Sequence, residues 1–524
     1  MSMQREIFNA LSFAINKGYQ IHPDAFAMLK GLDIDILKVV QDIVKMKIKH
    51  KESSSIVVED IKNLINTEGR VTDFNSFSNT ILSATTTIAD ANFHTASSGQ
   101  HSYKVIFDPT PSINSGEGVS GYTALFRSRF EKLLRIIALR PESKRITKIT
   151  SLKHKSNNAK LRKMYDVNGD ANTSSSVIVG LLMSKRSKKN GLEMVIDDYS
   201  GMLSVLAVTK ELKKQASILT LDQMIMLEVD NINKKRAQGF VVRNLVSPDI
   251  PDHLPNRSKS ESYAVLISDL HVGSKYFLEV EFLRFLNWLS STDDEIVNKI
   301  KFVCIAGDLI DGVGIFPNQE KELIEMDTGK QMSHVVDLFA KIPQHIKVFI
   351  IPGNHDPGRR ALPQPALPRK YSNKLYSFEN FTMLGNPSLV ELSGVKILMY
   401  HGQSLDDIIA TTPGLSYSKP ADAMKILLKT RHLSPIYGER TPIGPELEDM
   451  MVITEVPDIL HSGHVHSIDV QNYRGTLIVN SGAWQVQTKY QQMMGIVPTP
   501  GIAIVVNLLN LQPFQMNFNQ PNPM

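Results

Sequence analysis

The sequence predicts a multi-domain α/β + β chain: an N-terminal helical module, a small β-barrel and a C-terminal two-sheet α/β sandwich. Three observations carry this reading. Apolar residues recur at spacings of three and four near the N-terminus, five short apolar strands with tight turns crowd residues 175–245, and from Glu261 onward continuous apolar strands alternate with helical stretches. A length of 524 residues suits about three domains.

In the first module, residues 1–68, Ile7, Leu11, Ala14 and Ile15, then Leu32, Ile36, Leu37, Val40 and Ile43, keep helical spacing. Residues 69–120 are rich in Ser, Thr, Asn and Gly and are expected to be a flexible linker. Residues 121–250 combine a basic segment with the barrel. Between 121 and 190 there are 17 Lys/Arg against 4 Asp/Glu, a balance of +13 inside a chain whose net charge is only +5. Its clusters include Lys144-Arg145, Arg162-Lys163 and a run, expected as a turn, bearing Lys185, Arg186, Lys188 and Lys189. Phosphate contact is the functional reading of that bias, a solvated basic surface the structural one. The strands VIVGLLMS, LEMVID, MLSVLAV, MIMLEVD and GFVVRNLV, with a helical gap after the third, suggest a small barrel, and the Asp198–Gly201 turn resembles the OB-fold pattern. Tyr165 and Tyr199 are the aromatics available to stack on bases.

The single cysteine, Cys304, excludes an intrachain disulfide or a Cys-based zinc site and reads as a buried core thiol. No apolar run approaches 18 residues and the N-terminus lacks a signal-peptide pattern, so a cytoplasmic protein without a membrane partner is expected.

The chemistry lies in residues 261–510. YAVLISD leads to Asp269-x-His271, KFVCIAGD to Asp308 and Asp311, KVFIIPGN to Asn354-His355-Asp356, VKILMYHG to His401, and DILHSGH to His464-x-His466. Steps of 39, 46, 47 and 63 residues between Asp269, Asp308, Asn354, His401 and His464 leave room for a strand, a helix and their loops. Carboxylate and amide oxygens with imidazoles suit divalent cations such as Mn, Fe or Zn. In Asp-x-His and His-x-His, alternate residues off an extended segment would face one cavity. Two cations about 3.5–4 Å apart can grip a phosphate and acidify a water.

This set resembles the calcineurin-like metallophosphoesterases. The resemblance implies a two-sheet β-sandwich flanked by helices and a dinuclear centre. It places one metal on Asp269, His271 and His466, the other on Asn354, His401 and His464, and Asp308 between them. It makes His355 the catalytic proton donor and Asp356 the acid that orients it, with Asp311 in a supporting role. The Arg that Ser/Thr phosphatases of that superfamily carry after the second motif is Gly312 here. GDLIDGVGIFPNQEKEL, RHLSPIYGERTPIGPELEDMMVI, PDILHSGHVHSIDVQNYRGTLIVNSGAWQVQT and IVPTPG are similar to the small subunits of archaeal family D DNA polymerases. That family implies a 3′–5′ proofreading exonuclease, two divalent cations (Mn²⁺ first, Fe or Zn as alternatives), a large catalytic subunit in a heterodimer, and single-stranded DNA 3′ ends as substrate in an archaeal cytosol. The related eukaryotic B subunits look degenerate at the metal positions, whereas this chain keeps them all. The alternatives are a catalytically silent scaffold that docks the large subunit, and a stand-alone phosphatase or cyclic-nucleotide phosphodiesterase. The tail, residues 511–524, is weighed as a sliding-clamp peptide against a disordered end, and its lack of an adjacent aromatic pair favours the latter.

Overall fold

The computed structural model describes residues 102–154, 175–234 and 237–520, with shorter stretches before residue 62. The chain forms two compact units, Met1–Phe93 and His94–Met524. In the first, the helix Ile36–His50 buries Ile36, Val40, Ile43 and Val44, one stripe at helical spacing. Its Lys47 ammonium pairs with Asp60 at 2.9 Å. This unit is not all-helical: Gln20–Ile21 and Ser55–Ile56 form a parallel two-stranded pair. The second of these opens the β-branched run Ile56-Val57-Val58, which favours extended backbone. Residues 69–101 of the expected linker, with 62–68 before them, lie outside the described residues.

In the second unit, two six-stranded sheets pack face to face. The first runs Phe381–Met383, Lys347–Ile351, Ile300–Ala306, Tyr263–Ile267, Ile502–Asn507 and Gln512–Asn517. Its first four strands are parallel, and the last two join antiparallel. The second sheet runs Asp469–Tyr473, Thr476–Asn480, Ile459–Ser462, Val395–Met399, Ser388–Leu392 and Tyr103–Phe107. Ala264 and Leu266 point between the sheets, while Tyr263, Val265 and Ile267 point to the helices outside. Both faces are therefore buried, which is why these strands are apolar without alternation. Cys304 is fully buried between the sheets, where the low dielectric pushes its thiol pKa well up. Helices Glu279–Leu289 and Thr328–Phe339 cover the first sheet, and Leu405–Thr411 with Pro420–Thr430 cover the second.

Two expectations change here. Tyr103–Phe107, assigned to the linker, is an edge strand paired with Ser388–Leu392. Gln512–Asn517, assigned to the tail, is an edge strand too, and Phe518 after it is buried against Trp288 and Trp484. Its aromatics are held in the core, so residues 512–518 are not a free clamp-binding peptide. Only residues 521–524 lie outside the described part of the tail.

Five strands close a barrel in the order Ser176–Lys188, Gly191–Asp197, Met202–Ala207, Ala237–Val246, Met224–Lys234. Helix Lys210–Ser217 fills the gap expected after the third strand and packs Leu212 and Ala216 on the barrel core. The Asp198 carboxylate holds its turn by accepting from Ser200 N, Gly201 N and Ile149 N. The long helix Gly118–Ala138 joins barrel to sandwich. It buries Leu133 and Ile137 against Val177, Val179, Met226 and Val452. Arg129 on the same helix, fully buried, donates to Asp449 at 2.7 Å and to the Pro435 carbonyl at 2.7 Å.

The basic segment divides in consequence. Arg129, Arg140 and Lys132 are spent on Asp449, the Pro248 carbonyl and Glu448. The run expected as a basic turn is mostly strand: Lys185 to Lys188 still pair with Met194 to Gly191. Lys185 donates to the Ser217 and Leu219 carbonyls, where half-burial lowers its pKa, and Lys188 pairs with Glu193 at 2.7 Å. Arg186 and Lys189 are exposed. Tyr199 packs against Phe130 with ring centroids 4.7 Å apart, and Tyr165 lies outside the described residues.

Candidate dinuclear metal centre

All seven expected ligand residues converge at the C-terminal ends of five sandwich strands. Asp269 and His271 follow Tyr263–Ile267, Asp308 follows Ile300–Ala306, and Asn354 follows Lys347–Ile351. His401 follows Val395–Met399, and His464 and His466 follow Ile459–Ser462. The expectation that Asp-x-His and His-x-His reach the cavity from extended backbone is incorrect. Asp269, His271, Asp308, His464 and His466 have φ of 54, 55, 53, 69 and 62°, in the left-handed region. Non-glycine residues hold that region only when their surroundings impose it. Two glycines make the close approach possible. A Cβ at Gly353 would collide with Asp308 Oδ1, and one at Gly463 with Asp269 Oδ2.

The side chains form two adjoining clusters. In the first, His271 Nε2 and His466 Nε2 are 3.0 Å apart. Asp269 Oδ1 lies 3.9 and 3.5 Å from them. That oxygen is buried and has no hydrogen-bond partner. A buried carboxylate oxygen left unpaired beside two imidazole nitrogens is costly unless a cation fills the gap. His271 Nδ1 donates to Asp311 Oδ1 at 3.0 Å, which leaves Nε2 with its lone pair toward the gap.

In the second cluster, His401 Nε2 lies 2.9 Å from Asn354 Oδ1 and 3.3 Å from Asp308 Oδ2, and its Nδ1 donates to the Ala306 carbonyl at 2.7 Å. His464 completes the group. Its Nε2 contacts Asp406 Oδ2 at 3.2 Å, leaving Nδ1 as the available nitrogen. Asp308 Oδ2 is also 3.8 Å from His271 Nε2, so one carboxylate spans both clusters. Hard oxygens and imidazoles in this arrangement fit two divalent first-row cations.

Charge balance supports the same view. Burial pushes the Asp308 carboxyl upward, but His401, His355 and His271 outweigh it and hold the group well below the usual carboxylate range. Burial disfavours the imidazolium of His271 and His401, yet the surrounding carboxylates carry them up to about 8 and about 9.

His355 sits at the cleft beside this centre, its ring centroid 4.7 Å from that of His271. The backbone N–H of His355 donates to Asp308 Oδ1 at 2.8 Å, and its Nδ1 donates to the Asp311 carbonyl at 2.8 Å. That leaves Nε2 as the ring's second nitrogen. Asp356 does not orient His355. Its oxygens accept from the backbone N–H groups of Leu309, Ile310 and Gly353, tying two ligand loops together. The Asp311 backbone orients His355 instead, while its side chain braces His271.

Several residues around the centre were not anticipated. Gln491 Nε2 contacts His466 Nδ1 at 2.8 Å. Gln485 and Gln319 both donate to the Asp311 carboxylate, at 3.0 and 2.8 Å. Asp406 holds His464, and Tyr417 and Arg440 line the same cleft of about 230 Å³. Glutamines in loops and one-turn helices carry no periodicity, so only the fold brings them to the site. The Lys185–Lys189 run belongs to the barrel and none of it lines this cleft.

A two-sheet α/β sandwich with a paired His/Asp/Asn donor centre, joined through a helix to a closed five-stranded barrel, defines the class. Residues 264–468 match the family model for the B subunits of DNA polymerases alpha and epsilon. The chain is 37% identical over 414 residues to the DNA polymerase II small subunit of Methanothermobacter thermautotrophicus, covering 77% of this chain and 81% of that one. It is 37% identical over 425 residues to the Pyrococcus horikoshii DNA polymerase II small subunit, covering 78% of this chain and 66% of that one. The match therefore spans just under two thirds of that Pyrococcus relative's length. An archaeal phosphodiesterase structure aligns over 48% of this chain and 98% of its own at 13% identity, with a TM-score of 0.26. The chain belongs to the DNA polymerase II small subunit family.

Proposed function

We propose that the cleft is a calcineurin-like phosphoesterase site acting as a metal-dependent 3′–5′ exonuclease on single-stranded or frayed DNA, within a polymerase complex whose large subunit is a separate chain. The observation that carries this is the unpartnered Asp269 Oδ1 between His271 and His466, next to a second donor set that shares Asp308. Two divalent cations held there, Mn²⁺ first among the candidates and Fe or Zn after it, would neutralise the scissile phosphate and supply an acidified water. The chain's own residues do the rest. Asp311 fixes His355 through Nδ1, and Nε2, once it has taken up a proton to make the imidazolium, would return that proton to the departing 3′ oxygen. The barrel's strand order and inserted helix support an OB-fold reading, a scaffold that suits guiding a single strand.

The test is His355→Ala in the full chain assembled with its large subunit. Hydrolysis of a mismatched 3′ end in Mn²⁺ is expected to fall by about 10²–10⁴-fold, with assembly unchanged. Wild-type hydrolysis by that variant would leave the silent-scaffold reading standing.

A further inference from the structure

Phe316 and Tyr490 stack on each other at the mouth of the cleft, with centroids 5.8 Å apart and planes 25° off parallel. Both line the cleft, and Phe316 lies 6.4 Å from the His355 ring. Neither ring belongs to the cores of the sandwich or the barrel. Tyr490 is 45% exposed, and Met493, Met494 and Val497 beside it in sequence are also exposed. An aromatic stack left open to water at a catalytic cleft is poised for a flat ligand.

Its mounting is rigid. Tyr490 rides on the short helix Lys489–Met493, which a capping box between Thr488 and Gln491 fastens, and Gln491 grips the ligand His466. Phe316 lies three residues before Gln319, which grips Asp311. Each ring is thus tied to the metal centre through its own loop. Arg440 lines the same cleft, where its positive charge bears on Asp406 and Tyr417. A fixed aromatic surface with a guanidinium nearby matches a nucleobase with its phosphate.

We infer that Phe316 and Tyr490 form a stacking platform for the unpaired terminal nucleobase of the strand being cut, with Arg440 available to the adjoining phosphate. This rests on reading the cleft as a nuclease and names what it recognises: a base free of its partner, whatever its identity. A paired base is already stacked within its duplex, so the platform favours frayed or mismatched ends.

The test compares two single-stranded oligonucleotides, one ending in 2-aminopurine and one ending in an abasic nucleotide. Binding is read without divalent cations, and hydrolysis with Mn²⁺. Stacking on wild-type protein should quench the 2-aminopurine, and the abasic end should show a KM about tenfold higher, the scale of one base–aromatic stack. Tyr490→Ala should lose the quenching and raise KM for the base-bearing end to the abasic value, leaving the abasic substrate unchanged. Tyr490→Phe should restore both. Phe316→Leu serves as the second variant should Tyr490→Ala misfold. Equal handling of both ends by wild type, or equal damage to both by Tyr490→Ala, overturns the platform and reduces the pair to a loop fastener. Quenching without hydrolysis of either substrate would instead overturn the nuclease reading and leave the platform standing.

Discussion

Asp308 is caught between two demands, and its surroundings satisfy both. Oδ2 reaches both imidazole clusters, while Oδ1 accepts the His355 N–H and so ties the shared carboxylate to the His355 backbone. The ligands are held in turn. Asp311 and the Ala306 carbonyl fix the tautomers of His271 and His401, and Gln491 meets His466. Losing one such support costs about 10–100-fold in metal affinity or activity. Gln491→Ala is accordingly expected to weaken cation binding on that scale, read by titrating Mn²⁺ calorimetrically, with the fold unchanged. At this scale the sequence was informative where chemistry sits in short motifs. Asp269, His271, Asp308, Asn354, His401, His464 and His466 could all be named from spacing and resemblance. It was silent on Gln319, Gln485, Gln491 and Asp406, which lie in loops and short helices that only the fold brings to the residues they support. It also assigned Asp356 to His355, where the carboxylate in fact staples loops.

Among the elements, the helix Gly118–Ala138 does the most to relate barrel and sandwich. Its Arg129 reaches Asp449, whose Oδ2 also meets His432 Nε2 at 3.0 Å. His432 Nδ1 accepts the Ser434 N–H at 3.0 Å, so the ring is neutral with its proton on Nε2. Burial, with Arg129 beside it, pushes the His432 pKa down to about 4. Burial alone would raise the Asp449 pKa, but His432 and Arg129 hold it far below the usual range. The signs agree. A histidine depressed in the folded state contributes stability that is complete above its unfolded pKa near 6.5 and is lost as pH falls toward 4. Full loss at His432 is on the order of 3 kcal/mol. His432→Gln keeps a donor toward Asp449 but does not titrate, so its melting temperature should fall less than wild type's between pH 6.5 and 4.5. Parallel melting curves over that range would contradict the assignment. Elements buried on both faces were legible because they read as continuous apolar strands. The edge strands Tyr103–Phe107 and Gln512–Asn517 were not, since edges are half-solvated and their sequences look like loops.

Over the whole molecule, a net charge of +5 conceals a +13 segment, and the fold divides that segment by use. Arg129, Lys132, Arg140 and Lys185 serve internal contacts, while Arg186 and Lys189 remain exposed on the barrel. If those two track a single strand, Arg186→Glu with Lys189→Glu should flatten the log–log salt dependence of binding by about 1.4. An unaltered slope would return them to a solvated surface. Composition could show the excess of positive charge but not which side chains were already committed, because commitment depends on partners the fold brings from elsewhere in the chain, 320 residues away for Arg129 and Asp449. The central claim is that the paired donor centre hydrolyses DNA through bound divalent cations. It is tested most directly by measuring Mn²⁺-dependent removal of a mismatched 3′ nucleotide by the assembled complex, wild type against Asp308→Ala. Cation-dependent removal by wild type and none above background by Asp308→Ala, with assembly intact, is the predicted result; equal removal by both would contradict it.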